Sequence, residues 1–165
     1  MRKQKGFSLI ELLIVVAIIL IIAAIAIPNL LRARIAANES SAASGIRTIN
    51  TGEISFFTTY RTYGTLVALG PGATMTTACP VPPTVAAACV IDGVLSTNGG
   101  GAGKSGFNYA AAATASTYNA TASAIVQNSS GVRAFCSVED AVVRVQSPGP
   151  IAAGACANTV QPLQQ

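Results

Sequence analysis

Glu11 is the one charged residue between positions 7 and 27, a run that reads FSLIELLIVVAIILIIAAIAI. A carboxylate in a membrane span costs several kcal/mol, roughly 2.5 or more at its centre, so it demands a counter-charge. The other acids able to do chemistry beyond Glu53 are Asp92, Glu139 and Asp140. Paired-carboxylate catalysis needs two acids flanking one bond, and nothing in the spacing brings these together. Histidine is absent, and Cys79, Cys89, Cys136 and Cys156 show no CxxC spacing. The chain therefore offers no zinc ligand set and no cysteine–histidine couple, and we expect no catalytic residue, no metal and no cofactor. Asp92 or Glu139-Asp140 could give a calcium ion a few of its oxygens, but solvated surface charge is the simpler reading. Residues 98–105, NGGGAGKS, nearly match a phosphate-binding loop, with Asn98 where that pattern requires glycine. A surface turn is the expectation there.

Four cysteines beside a positive, export-type N-terminus suit two disulfides in an oxidising compartment. Three pairings are open, and Cys79–Cys89 with Cys136–Cys156 is favoured because both close short loops. The net charge of +4 comes from the same N-terminus: without Arg2, Lys3 and Lys5, seven basic residues face six acidic ones. No basic stripe with interleaved aromatics follows, so no specific nucleic-acid partner is indicated.

These residues must be positioned by a few elements. As a helix, residues 7–27 would reach roughly 31 Å, the thickness of a bilayer's hydrocarbon core. The positive flank would stay cytoplasmic and send the rest outward. Pro28 costs a backbone hydrogen bond and predicts a kink or loosening. Beyond it Leu31, Ile35, Ala42, Ile46, Ile49, Phe56 and Tyr60 recur at helical spacing among Arg34, Asn38, Glu39, Ser40, Ser44, Arg47 and Asn50. One helix over 7–58 is predicted, with Gly45 and Gly52 weakening its second half. Arg32, Arg34 and Arg47 fall on its polar side, facing solvent, a neighbouring subunit or lipid headgroups. After Gly64 the texture changes to Pro- and Gly-rich loops, with a short helix or strand somewhere in 85–95. Runs at 107–112, 118–126, 132–137 and 141–145 predict an antiparallel meander of three or four strands. Residues 147–165 read as a loop tied down by Cys156. The fold class is α+β, with the stripe from Ile35 to Phe56 on the sheet. It divides into residues 1–6, the helix 7–58 with its membrane half 7–27, and a β-rich domain 59–165.

Lys5-Gly6-Phe7-Ser8-Leu9-Ile10-Glu11, followed by LLIVVAII, resembles the prepilin leader and helix of type IV pilins and of type II secretion pseudopilins. The similarity covers about residues 2–35 and includes Pro28. It implies cleavage after Gly6 by a membrane prepilin peptidase, which also methylates the new N-terminal Phe7. It makes Phe7, Glu11 and Pro28 assembly residues. The freed amine of Phe7 on a neighbouring copy would be the counter-charge of Glu11, fixing axial register as buried polar pairs do elsewhere. Residues 104–107, Tyr118, 131–135 and 142–144 are similar to the sheet region of some such proteins, where a G-x-R-x-F strand pairs with a following strand ending in Arg.

The resemblance implies a subunit of an extracellular pilus serving adhesion, twitching motility, surface attachment or DNA uptake. Its partners would be copies of itself, the peptidase, an inner-membrane assembly machine and, before assembly, the membrane. It would sit in the inner membrane as a single-pass precursor and reach the cell surface in the filament. A pseudopilin is the alternative, and the weakly charged exterior and two disulfides favour the pilus. A secretory signal cut after Ala24-Ile25-Ala26, or a plain anchor, would also fit an apolar run. Glu11 and the continuation of the stripe past that cut argue against both.

Overall fold

The computed structural model of the chain describes residues 7–74, 78–152, 155–156 and 160–164. The chain divides into two compact units, Met1–Arg34 and Ile35–Gln165. Helix α1, Leu9–Tyr60, contributes to both, and helical geometry continues through Pro28. It ends two residues later than expected, within the ordinary fraying of helix boundaries.

In the first unit nearly every described side chain is exposed; Leu9, Leu20 and Ile27 are 81%, 63% and 65% accessible. This part of α1 is long and apolar enough to cross a bilayer, and none of it is buried.

In the second unit α1 buries Glu39, Ala42, Ala43, Gly45, Ile46, Ile49, Asn50, Gly52, Glu53 and Phe56. The expected stripe of Ala42, Ile46, Ile49 and Phe56 is there, with Ile35 half-buried. Each fully buried Ile or Phe contributes about 1.5–3 kcal/mol by leaving water. Glu39 and Asn50, expected on the polar side, are buried as well. The alternation 39, 42, 46, 49, 53, 56 makes Glu39 and Glu53 members of the core stripe. The two glycines have a packing cause. A Cβ on Gly45 would stand 2.6 Å from Cε1 of Tyr109, and one on Gly52 would stand 2.8 Å from Cγ2 of Ile91. Their helix-weakening effect is the cost of letting the layer beneath come this close.

Ile91 under Gly52 belongs to the segment before the sheet, and beneath Gly45 lies an antiparallel meander of five strands in chain order. They are β1 Phe107–Ala113, β2 Tyr118–Ala124, β3 Ala134–Val138, β4 Arg144–Gln146 and β5 Gln161–Pro162. The register pairs Phe107 with Ala124, Thr121 with Cys136, and Cys136 with Arg144. Three expectations need correction. The strand expected at 132–137 starts two residues later, because the amides of Val132 and Arg133 are taken by Glu39. The strand expected at 141–145 opens at Arg144. Ala141 has a φ of 57°, and its carbonyl accepts from Asn50 instead of a neighbouring strand. Arg144 thus begins its strand rather than ending it. The tail also supplies a fifth strand, too short to show a period.

All five residues of β3 are buried. Phe135 joins the core under α1 with Phe107, Tyr109, Tyr118, Ala120 and Ala122. Ala134, Cys136 and Val138 pack on the opposite face with Ile151 and Cys156. The expected two-faced alternation is present, but a second layer covers the outer face. Ser123 Oγ donates to the carbonyl of Ile151 at 2.6 Å, and Asn119 Nδ2 to that of Cys156 at 3.1 Å. Two short helices, α2 (Leu66–Leu69) and α3 (Gly93–Ser96), complete the unit; α3 lies in the 85–95 region. Asp92 caps α3, its Oδ1 accepting from Leu95 N at 2.8 Å.

Candidate functional site

The segment from Phe7 to Arg34 carries the residues singled out for assembly. Ser8 precedes the first residue of α1, so it is the N-cap, and Glu11 stands at the third helical position. Glu11 Oε2 accepts from the backbone N–H of Ser8 at 3.0 Å. This is the carboxylate half of a capping box, in which an acid in the first turn satisfies an amide that the helix leaves unpaired. The positive end of the helix dipole favours the same charge. Within one copy, then, Glu11 is held against its own chain. The sequence shows this as Ser-x-x-Glu at the head of an apolar run, a signal the charge argument passed over. Phe7 is 85% exposed. Gly6 and the leader 1–6 lie outside the described residues.

The cysteines pair as favoured. Cys79–Cys89 bridges Cα atoms 6.0 Å apart and Cys136–Cys156 bridges atoms 5.7 Å apart. The second ties the tail to β3 and, with Ser123 and Asn119, holds the outer layer on the sheet.

Charges in the second unit are committed to structure. Glu39 Oε1 accepts from the amides of Val132 and Arg133 at 2.8 and 2.9 Å, and its Oε2 from Arg133 Nε at 2.8 Å. Asn38 Nδ2 donates to the carbonyl of Ser130 at 2.9 Å, so consecutive helix residues grip one loop. Burial alone would push the Glu39 carboxyl up, but those amides and the guanidinium outweigh it and hold it below 4.5. The G-x-R-x-F segment therefore matters for its loop as well as its strand, and Arg133 also lies 5.7 Å over the ring of Phe135. Arg144 pairs with Asp140, which holds that carboxyl below its ordinary value. Lys104 lies 3.6 Å from Asp92. The side chains of Arg32, Arg34 and Arg47 are exposed and make no hydrogen bond or ion pair among the described residues.

The glycine-rich loop cannot cradle a phosphate as a P-loop does. The amides of Gly100, Gly101, Ala102, Gly103 and Lys104 already donate within the chain. Asn98, at a φ of 51°, accepts from the amide of Tyr109 through Oδ1 at 2.7 Å. Asparagine is thus the working residue where the motif wants glycine. Asp92 and Asp140, weighed as calcium ligands, face cations of the chain. Among the described residues no three His, Cys, Asp or Glu side chains gather in a group that could hold a metal.

Comparison with known proteins points the same way. Residues 1–27 match the family model described as the prokaryotic N-terminal methylation motif. Over 40 residues the chain is 68% identical to the type IV wide pilus major component PilA4 of Thermus thermophilus, covering 24% of this chain and 30% of that protein. Over 55 residues it is 47% identical to the type IV major pilin protein PilA of Myxococcus xanthus, covering 33% of this chain and 25% of that one. The matches thus span under a third of each relative's length. The resemblance to type IV pilins read from Lys5–Glu11 holds for the N-terminal segment, which carries the methylation motif at the head of an exposed apolar helix.

Proposed function

We propose that the chain is a structural subunit of a type IV pilus-like extracellular filament, made as a membrane-anchored precursor and polymerised through the first half of α1. One observation carries this reading: an apolar helical segment that the chain buries nowhere, headed by a methylation motif and carrying a single acid. So much exposed apolar surface needs lipid or other copies of itself. Lipid and a filament core of Leu, Ile and Val are comparably apolar, so transfer between them need not be strongly uphill. The role is structural rather than catalytic, and matched relatives named as pilus components favour the pilus over the pseudopilus.

In this reading a prepilin peptidase cuts after Gly6 and methylates Phe7, and an inner-membrane machine feeds the subunit into the filament. Glu11 begins on its own Ser8 amide. On assembly it passes to the ammonium of Phe7 on a neighbouring copy, trading a neutral donor for a charged one, about twice as strong. The β-rich part would lie outside the cytoplasm and form the filament's exterior.

Shearing cells and analysing the detached filaments by electron microscopy with gold-labelled antibody and by mass spectrometry tests the reading. The chain is expected in the filaments. Finding it only as a dispersed exported protein, with no labelled filaments, overturns it.

A further inference from the structure

Glu53 is the one acid of the second unit that is fully buried, at 0% accessibility. Its Oε2 accepts from the backbone N–H of Gly64 at 2.9 Å. Its Oε1 is buried with no hydrogen-bond partner among the described residues. Gly64 itself is wedged against Phe56 and Leu69; a Cβ there would stand 3.2 Å from Cζ of Phe56 and 3.3 Å from Cδ2 of Leu69. The contact closes the turn where α1 ends at Tyr60 and the chain doubles back towards α2 through Tyr63, which stacks on Phe57 at 4.7 Å.

The facing groups supply no cation. The segment Leu66–Leu69 has no titratable side chain. The turn brings Tyr63, and Arg61 is exposed without an ion pair. From β2 comes Tyr118, whose hydroxyl donates to Oδ1 of Asn50 at 3.1 Å and whose pKa is raised by burial and, less, by the charges of Glu53 and Asp140. Arg144 of β4 pairs with Asp140 rather than with Glu53. An ionised Glu53 would hold one amide bond against a full desolvation cost with no counter-charge.

We propose that Glu53 is a proton-operated latch: neutral, it seats the turn 61–65 and α2 on the end of α1; ionised, it leaves the core and frees that turn. Burial pushes the carboxyl up from 4.5 to about 7, although the Gly64 amide pulls it down. The sign follows: the folded value is raised, so the latch is fully closed below 4.5 and is lost as pH rises through about 7. That gap corresponds to a change on the order of 10² in the opening equilibrium between the acid and alkaline limits. The proposal stands on the Ile35–Gln165 unit and does not depend on the pilus reading.

The test is hydrogen exchange on the full-length chain in detergent micelles, corrected for intrinsic pH dependence, with carbon-13 titration of the Glu53 carboxyl. Amides from Arg61 to Leu69 should lose protection by up to about ten-fold per pH unit between 4.5 and about 7 and level off above that, and their exchange should become independent of pH in Glu53→Gln. The wild-type carboxyl should titrate near neutrality. Titration near 4.5, or an unchanged slope in Glu53→Gln, overturns the latch; should that variant fail to fold, the wild-type titration decides alone.

Discussion

The two stretches of α1 use the same helical backbone for opposite ends. Between Phe7 and Ile27 the side chains are apolar on all sides but for Ser8 and Glu11 and almost all exposed, with Glu11 held by the amide of Ser8 in its own first turn. Between Ile35 and Tyr60 the helix is polar over most of its surface, yet its narrow stripe is buried, and the acids on that stripe are seated inside the fold. In the first stretch hydrophobic surface is left for something outside the chain. In the second it is consumed within it. A helix apolar all round is built to be surrounded, whereas an amphipathic one is built to lie on a layer. The change falls just after Arg32 and Arg34, where apolar length suited to a bilayer gives way to a stripe suited to a sheet.

The contrast can be broken most severely at Glu11. Glu11→Ala should leave the second unit folded and processing largely intact, yet abolish filament assembly, read as filament yield against cellular precursor. Normal yield would remove Glu11 from the proposed role. The counterpart in the second stretch is Glu39→Ala, which strands the amides of Val132 and Arg133 and leaves Arg133 unpaired. It should cost about 3 kcal/mol in a denaturant titration, with much of any loss of filament following from lost stability. Replacing Cys136 and Cys156 together by Ser opens the outer layer and should cost about 3 kcal/mol by the same measurement, as for loops of this size. Gly45→Ala sets better helix propensity against a clash with Tyr109 and should cost about 1–2 kcal/mol net. An alanine in place of Ser8 or Leu9 should leave that stability unchanged, because nothing in the second unit rests on them. The smallest effect is on pH dependence. The Glu39 carboxyl is held below its ordinary value, so its contribution is present above 4.5 and lost as pH falls below that. Glu39→Gln should flatten the acid limb of a stability–pH curve, while Glu53→Gln should flatten the neutral one.

Much of this was legible from residue types and spacing. The lone Glu11 in an apolar run, the stripe through Ala42, Ile46, Ile49 and Phe56, and the short-loop cysteine pairs each state their own constraint locally. The rest was hidden for physical reasons. Glu39 reads as surface because an acid is rarely buried, Glu53 draws no reading of its own, and only their place in the 3-4 alternation betrays them. Gly45 and Gly52 read as helix defects because the rings and methyls they admit lie far along the chain. The strand at Arg144–Gln146 and its two-residue partner were too short to show a period, and the residues before Arg144 serve α1 through Asn50. The Ser8–Glu11 contact is legible as a capping box, Ser-x-x-Glu at the head of an apolar run, though the cost of a charge within that run is its louder signal.

The central claim is that the exposed half of α1 survives processing and becomes the polymer's core. Mass measurement of the N-terminal peptide from sheared filaments tests it most directly. A chain beginning at an N-methylated Phe7 is the predicted result. A filament or exported product beginning near Ile27, without residues 7–26, would contradict it.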